Sequence, residues 1–316
     1  MRGKDLHRRI GCLLAFAICL PAQSPTFRAR VDVVEIDAQV LGNHGVIEGL
    51  QLSDFVVKDN HVPVRILHCA QEETPLDLVL AFELSKYMAP KRTAIRSAAE
   101  MALASLRDGD RVAVTSFDEA MRVDQPFSKD FAAVKQRLRA GLAYATFANE
   151  PDILPAVHAL AKVVAKRPEP RGRGILLMIT GDAGKGLKNQ NHAGIARELW
   201  EADASLSAMV IPNWLTHMTA DTNPFHLFLL VRMGFNFWDN VDDIAAKTGG
   251  GVVSDEDNIR PMLRNLRRRY RMYYDMPEGK PGQRRQLSVE LTPAVMAEHP
   301  DARVMARQGY VIPRNN

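Results

Sequence analysis

From Val34 to Val40 apolar and polar positions alternate without a break, with Val34, Ile36, Ala38 and Val40 on one side and Glu35, Asp37 and Gln39 on the other. A period of two is that of a strand with one face buried. A turn at Gly42-Asn43-His44-Gly45 follows, then a strand over Asp54–Lys58, a turn at Asp59-Asn60, and a further extended piece over Val62–Cys69. Past Thr74-Pro75 the pattern changes. Leu76–Phe82 is a nearly continuous apolar run, as expected of a strand covered on both faces. Ile95, Ala98, Ala99, Ala102 and Leu106 then recur at helical spacing, with Arg107-Asp108-Gly109-Asp110 as the stop.

The alternation of types continues downstream. Strands are predicted at Val112–Phe117, Ile175–Thr180, Leu206–Ile211 and Gly251–Val253, and helices at Phe131–Leu142, Ile153–Ala165, Ala193–Ala204, Val241–Thr248 and Ile259–Arg269. Strands separated by helices of this length imply an α/β domain with a doubly wound, mostly parallel sheet. The last part returns to extended patterning, with Tyr270–Tyr274, a turn at Glu278–Gly282, and Leu287, Val289 and Leu291 alternating with Ser288 and Glu290. The predicted layout is a leader over 1–22, an N-terminal β unit over 23–74, the α/β domain over 75–269, and C-terminal strands over 270–316. Those final strands pack with the first ones, so both chain ends build one small antiparallel unit.

Composition changes this picture in one respect. With 316 residues, 46% hydrophobic and 25% charged, the chain can bury a full core. Its first residues, however, place Arg2, Lys4, Arg8 and Arg9 ahead of an apolar run from Ile10 to Leu20 that ends at Pro21-Ala22-Gln23. That is the pattern of an export signal, and the run is too short to span a bilayer. Removing residues 1–22 lowers the formal charge from +4 to about +1. The basic balance therefore does not point to nucleic acid. Cys12 and Cys19 go with the leader, leaving Cys69 as a lone thiol, expected to be buried, with no intramolecular disulfide.

In open α/β sheets ligands bind beyond the carboxyl ends of the strands, which directs attention to Glu83-Leu84-Ser85-Lys86-Tyr87. The stretch from Pro75 to Met88 resembles the first strand and D-x-S-x-S loop of von Willebrand factor A domains. More narrowly, the chain resembles bacterial VWFA-related proteins of acidobacterial type, through Ser53-Asp54-Phe55, Ser116-Phe117, Ile179-Thr180, Thr248-Gly249-Gly250 and Ala306–Tyr310. The resemblance implies an adhesion-type site for Mg²⁺ or Mn²⁺, since a carboxylate and hydroxyls suit a hard dication. The expected ligands are Glu83, Ser85, Thr146 and Asp182, and the site is degenerate. Glu83 stands for Asp, Tyr87 replaces the second Ser, Pro151 falls where a Thr is expected, and Gly181 displaces the last Asp by one. The alternative is a vestigial loop in which Glu83 pairs with a cation and Ser85 caps the following helix.

Other patterns compete less well. Thr180–Gly186 is glycine-rich, but Ile179 and Gly186 stand where a phosphate loop needs Gly and Ser or Thr. Arg260, Arg264, Arg267, Arg268, Arg269 and Arg271 read as a basic helix end favoured by the helix dipole. The segment 213–240 carries Trp214, Phe225, Phe228, Phe235, Phe237 and Trp238, either a recognition surface or a loop folded over the sheet. His217, Asp221 and His226 there match no zinc spacing. Hydrolase motifs are missing, and His68 beside Cys69 would point to the opposite face of a strand. The resemblance thus implies an exported, non-enzymatic protein whose A-like domain binds a protein partner, with weak metal dependence or none. An envelope scaffold is the alternative, and an uncharacterised secreted enzyme comes third.

Overall fold

The computed structural model describes residues 33–43, 45–149, 151–181, 191–211 and 239–313. The first strands are β1 (Val33–Gly42), β2 (Gly45–Val46), β3 (Phe55–Asp59), β4 (Val62–Val64) and β5 (His68–Glu73). Then come β6 (Leu76–Glu83), α1 (Arg92–Ala104), β7 (Arg111–Phe117), β8 (Met121–Ser128), α2 (Phe131–Tyr144), α3 (Ile153–Ala165) and β9 (Arg173–Thr180). Next are α4 (His192–Glu201), β10 (Ala204–Val210), α5 (Asp239–Thr248), β11 (Val252–Val253) and α6 (Ile259–Arg267). The chain closes with β12 (Arg268–Asp275), β13 (Arg284–Leu291), α7 (Pro293–Glu298), β14 (Arg303–Ala306) and β15 (Gly309–Val311). Residues 1–22 and the aromatic segment up to Trp238 lie outside the described residues, as do His217, Asp221 and His226. No helix among the described residues is long and apolar enough to cross a membrane.

The central sheet has the order β11-β10-β9-β6-β7-β8, parallel throughout except for β8. Winding starts at β6, moves outward through β7 and β8, and then reverses to β9 on the other side. The switch point therefore lies between β6 and β9. Every position of β6 is buried, and its side chains divide by parity. Leu76, Leu78, Leu80 and Phe82 enter one core with Ile95 and Ala98 of α1, Leu138 of α2 and Leu263 of α6. Val79 and Ala81 enter the other with Val157 and Leu160 of α3, Leu199 of α4 and Ile244 of α5. Burial of each large aliphatic side chain contributes about 1.5–3 kcal/mol, so the strand stays central and its two faces stay apolar.

The chain ends form a sandwich. One sheet is β14-β1-β12-β5, with β2 folded against β1, and the other is β15-β13-β3-β4, all antiparallel. The alternation predicted for β1 is observed, with Val34, Ile36, Ala38 and Val40 beside Tyr270 and Tyr274 of the same sheet and in one core with Phe55, Val57 and Leu287 of the other. Within this apolar layer sits one charged cluster. Asp59, 1% exposed, accepts hydrogen bonds from the hydroxyls of Tyr274 at 2.8 Å and Tyr310 at 2.7 Å and from Arg285 Nε at 2.6 Å. Burial raises both phenols, that of Tyr310 to about 12, so they remain donors to the carboxylate.

Three expectations need correction. The strand β8 was not predicted, because Met121–Ser128 is largely polar and contains Pro126. As an edge strand it is paired on one side by β7, and Pro126 needs no ladder donor on the other. The helix expected to run to Arg269 ends at Arg267, and β12 starts at the next residue. Of the basic run, Arg264 and Arg267 lie in the helix's last turn as expected, but Arg268, Arg269 and Arg271 lie in the strand. Arg267 makes a bidentate pair with buried Asp110 at 2.5 and 2.7 Å, Arg268 pairs with Glu48, and Arg271 pairs with Glu35, Asp37 and Glu72. Cys69, expected to be buried, is half-buried and free in β5, its thiol pushed up to about 11 by burial and by nearby Asp54.

Removing one partner of a buried charged cluster strands the others, at a typical cost of about 3–5 kcal/mol. Asp59→Ala is expected to lower the unfolding free energy in urea by roughly 3 kcal/mol, and Tyr310→Phe by about 1 kcal/mol. An Asp59→Ala protein as stable as the wild type would show that this cluster does not hold the sandwich.

Candidate functional site

Glu83 is the last residue of β6, and Thr180 is the last of the neighbouring β9, whose register with β6 ends at Phe82 opposite Ile179. Both lie at the carboxyl end of the switch point, and both are fully buried. After Glu83 the chain is held to β7, with Leu84 N donating to Phe117 O at 2.7 Å. Ser85, also fully buried, precedes a 3-10 turn over Lys86–Lys91. Its hydroxyl donates to Glu83 Oε1 at 2.5 Å. Glu83 Oε2 accepts from Thr180 Oγ1 at 2.5 Å and from Gly181 N at 2.8 Å. The extra methylene that distinguishes Glu from Asp carries the carboxylate across to the neighbouring strand.

Burial raises the Glu83 carboxyl, and the three hydrogen bonds, which favour its charged form, only partly offset that. Among the described residues no cation pairs with it. This corrects the vestigial-loop expectation on two counts, since Glu83 is satisfied by neutral donors and Ser85 makes no side-chain cap.

Thr146 is exposed on the loop after α2 and makes no hydrogen bond to Glu83. That loop is set by Arg92, which donates to Leu142 O at 2.5 Å, Ala143 O at 2.9 Å and Ala145 O at 3.0 Å. These are carbonyls at a helix C-terminus, where a cation is favoured. The same guanidinium sits 4.7 Å from the Phe147 ring. Asp182 lies outside the described residues, as do residues 183–186 of the glycine-rich loop, whose first amide, Gly181 N, is taken by Glu83.

Two residues at this end were not among the expected site residues. Thr180 closes the Glu83 cluster, and its place at the end of a buried strand was the available signal. Asp118, just past β7, accepts from Ala120 N at 3.0 Å, Asn149 Nδ2 at 3.0 Å and Arg122 at 3.3 Å. Burial works against its charge, but these donors outweigh it and hold the carboxyl below its ordinary value. Asn149 in turn accepts from Lys86 N through its backbone, tying the upper loops together.

A magnesium-type ion wants near-octahedral oxygen ligands and keeps several waters. Among the described residues the cluster offers one carboxylate and two hydroxyls, all fully buried and already hydrogen-bonded to one another.

Residues 78–185, from the middle of β6 past the end of β9, match the family model of the von Willebrand factor type A domain. The chain carries a von Willebrand factor A-like (VWA-like) domain. No curated protein matches the chain. Similar solved structures include an aerotolerance-related membrane protein from Bacteroides fragilis, 12% identical with a TM-score of 0.45 over 60% of this chain and 98% of that one. BatB from Bacteroides thetaiotaomicron is 13% identical with a TM-score of 0.44 over 60% and 98% of the two chains. A von Willebrand factor type A protein from Catenulispora acidiphila is 11% identical with a TM-score of 0.43 over 92% and 76%. Identities of this order say nothing of role.

Beside the Glu83 cluster the VWA-like domain has a groove of about 650 Å³ between β7, β8, α2 and the loop after α2. Phe82, Leu84, Val114 and Leu138 give it an apolar floor, and Arg122, Asp124 and Arg137 stand at its rim. Tyr144, at the end of α2, is 89% exposed.

The raised Glu83 carboxyl has a pH consequence. Its charged form is the one folding penalises, so the penalty is absent below the unfolded value near 4.5 and complete once pH exceeds the folded value. Glu83→Gln keeps an acceptor for Thr180 and Gly181 and carries no charge. The variant is expected to melt at or above the wild-type temperature at neutral pH, and the difference should shrink as pH falls toward 4.5. Melting curves across that range decide it, and a variant that loses stability more at neutral pH than in acid would mean that the charge is needed.

Proposed function

We propose that this chain is an exported, non-enzymatic binding protein. Its VWA-like domain contacts a protein partner through the face at the carboxyl ends of β6, β7 and β9, with weak or no dependence on a divalent cation. The fully buried Glu83 carboxylate, with a neutral donor on each of its oxygens, carries this reading. Ligands of open α/β sheets bind at this end, and with the interior of the site spent on its own hydrogen bonds, contact falls to the exposed surroundings. Those are the apolar groove, its arginine rim and Tyr144, and aromatic and arginine side chains carry most of the energy at protein interfaces.

The non-enzymatic part rests on the same geometry. Ser85 beside Glu83 is a hydroxyl next to a carboxylate, but both are fully buried, which favours a structural role for the pair. The Cys69 thiol, raised to about 11, is a poor nucleophile at neutral pH. Export rests on the cationic and apolar pattern of residues 2–20.

The test is capture from envelope extract by the immobilised full chain, with and without EDTA, compared with Tyr144→Ala and Arg137→Ala. Capture of the same partner in both buffers is expected, weakened about tenfold by each substitution with the melting temperature unchanged. Loss of capture on chelation would refute the metal-independent reading. Wild-type capture by both variants would refute this face.

A further inference from the structure

The opposite end of the sheet holds a cavity of about 280 Å³, where the amino ends of β9 and β10 meet β1 and β12. Arg171, Arg173, Arg269, Arg271 and Arg307 line it, against Glu35, Asp37 and Asp203. Part of this charge is spent internally. Arg173 Nε donates to Asp37 at 2.8 Å, and its Nη1 donates to the carbonyls of Leu266 and Arg267 at 2.9 and 2.7 Å. Arg271 is engaged by its three carboxylates.

What remains is an excess of donors. Arg269 is 3% exposed, makes no ion pair among the described residues, and has one protein acceptor, Gly249 O at 2.5 Å. Its Nε has no partner, and neither do Arg173 Nη2, on a side chain 8% exposed, and Arg307 Nε. Three arginines that line this one cavity thus each carry a buried N–H group without an acceptor. Leaving a buried donor unmade is costly, more so when it is charged. Burial, and Arg173 nearby, push the Arg269 guanidinium down to about 10, against the opposing pull of Asp37.

We propose that this cavity is a binding site for one hydrogen phosphate group, free or as a small monoester, held by Arg173, Arg269 and Arg307. Guanidinium donors in a fixed fork suit tetrahedral oxyanions. The carboxylates in the wall select among them. Sulfate and carboxylate ligands only accept hydrogen bonds and would face Glu35 and Asp203 with lone pairs. Hydrogen phosphate accepts from the arginines and gives its own O–H to a wall carboxylate. The volume lies below that of sites for drug-sized ligands, which suits a single phosphate with few further atoms. The site is distinct from the Glu83 face and does not depend on the function proposed for it.

The experiment is titration of the full chain in phosphate-free buffer with inorganic phosphate, then with sulfate at matched ionic strength, read by melting temperature and by ³¹P line broadening. A saturable response to phosphate is expected, reaching roughly 5 °C at about a hundred times the Kd, with sulfate clearly weaker. Glycerol phosphate as a second titrant separates the sources: competition with phosphate shows that a monoester fits, and no competition assigns the site to the free ion. Arg269→Gln is expected to weaken binding at least tenfold. Should that variant fail to fold, Arg307→Gln, whose side chain is only partly buried, is expected to weaken it severalfold. No saturable phosphate response, an equal response to sulfate, or wild-type affinity in the folded variants would overturn the proposal.

Discussion

A strand covered on both faces can carry charged side chains only where it ends, and this constraint shapes the whole molecule. In β6, Asp77 stands at one end and Glu83 at the other, with apolar residues filling the interval. An unpaired charge in the middle would cost several kcal/mol. The chemistry of the chain is therefore pushed to two opposite rims of the central sheet, and the two rims solve the same problem differently.

At the lower rim the buried carboxylates meet arginines. Asp77 is held by Arg111 at 2.6 and 2.8 Å and by Gly172 N at 2.7 Å, and Asp110 by Arg267 and by the amides of Leu76 and Arg107. Arg173 reaches from β9 to Asp37 of β1 and to the carbonyls where α6 passes into β12. It joins the α/β layer to the sandwich through a single side chain. At the upper rim Glu83 meets only neutral donors, so its charge is tolerated rather than paired. A surplus of cations below and an unpaired acid above follow from one arrangement of strands.

The loop from Glu83 to Tyr87 shows how far a resemblance reaches. Its position marked the fold, and the domain that the family model matches begins in the strand just before it. Its chemistry was not legible, because the partners of Glu83 lie across the sheet. Thr180 and Gly181 are nearly a hundred residues distant in sequence, and nothing local to either segment sets their contact. Thr146 was a reasonable ligand by residue type, yet it is exposed and lines the neighbouring groove, on a loop that Arg92 holds.

Periodicity, which is a local property, determined the doubly covered strands, the helices between them, and the half-buried strands at both chain ends. Apolar spacing commits a segment to one face wherever the partner lies. Side-chain pairing between distant segments was decided only by the tertiary structure. A run of arginines reads as a basic helix end until the helix stops at Arg267 and the next residues enter a strand among carboxylates. The sequence carries each charge, but its cost and its partner depend on depth and on neighbours that exist only once the sheet has formed.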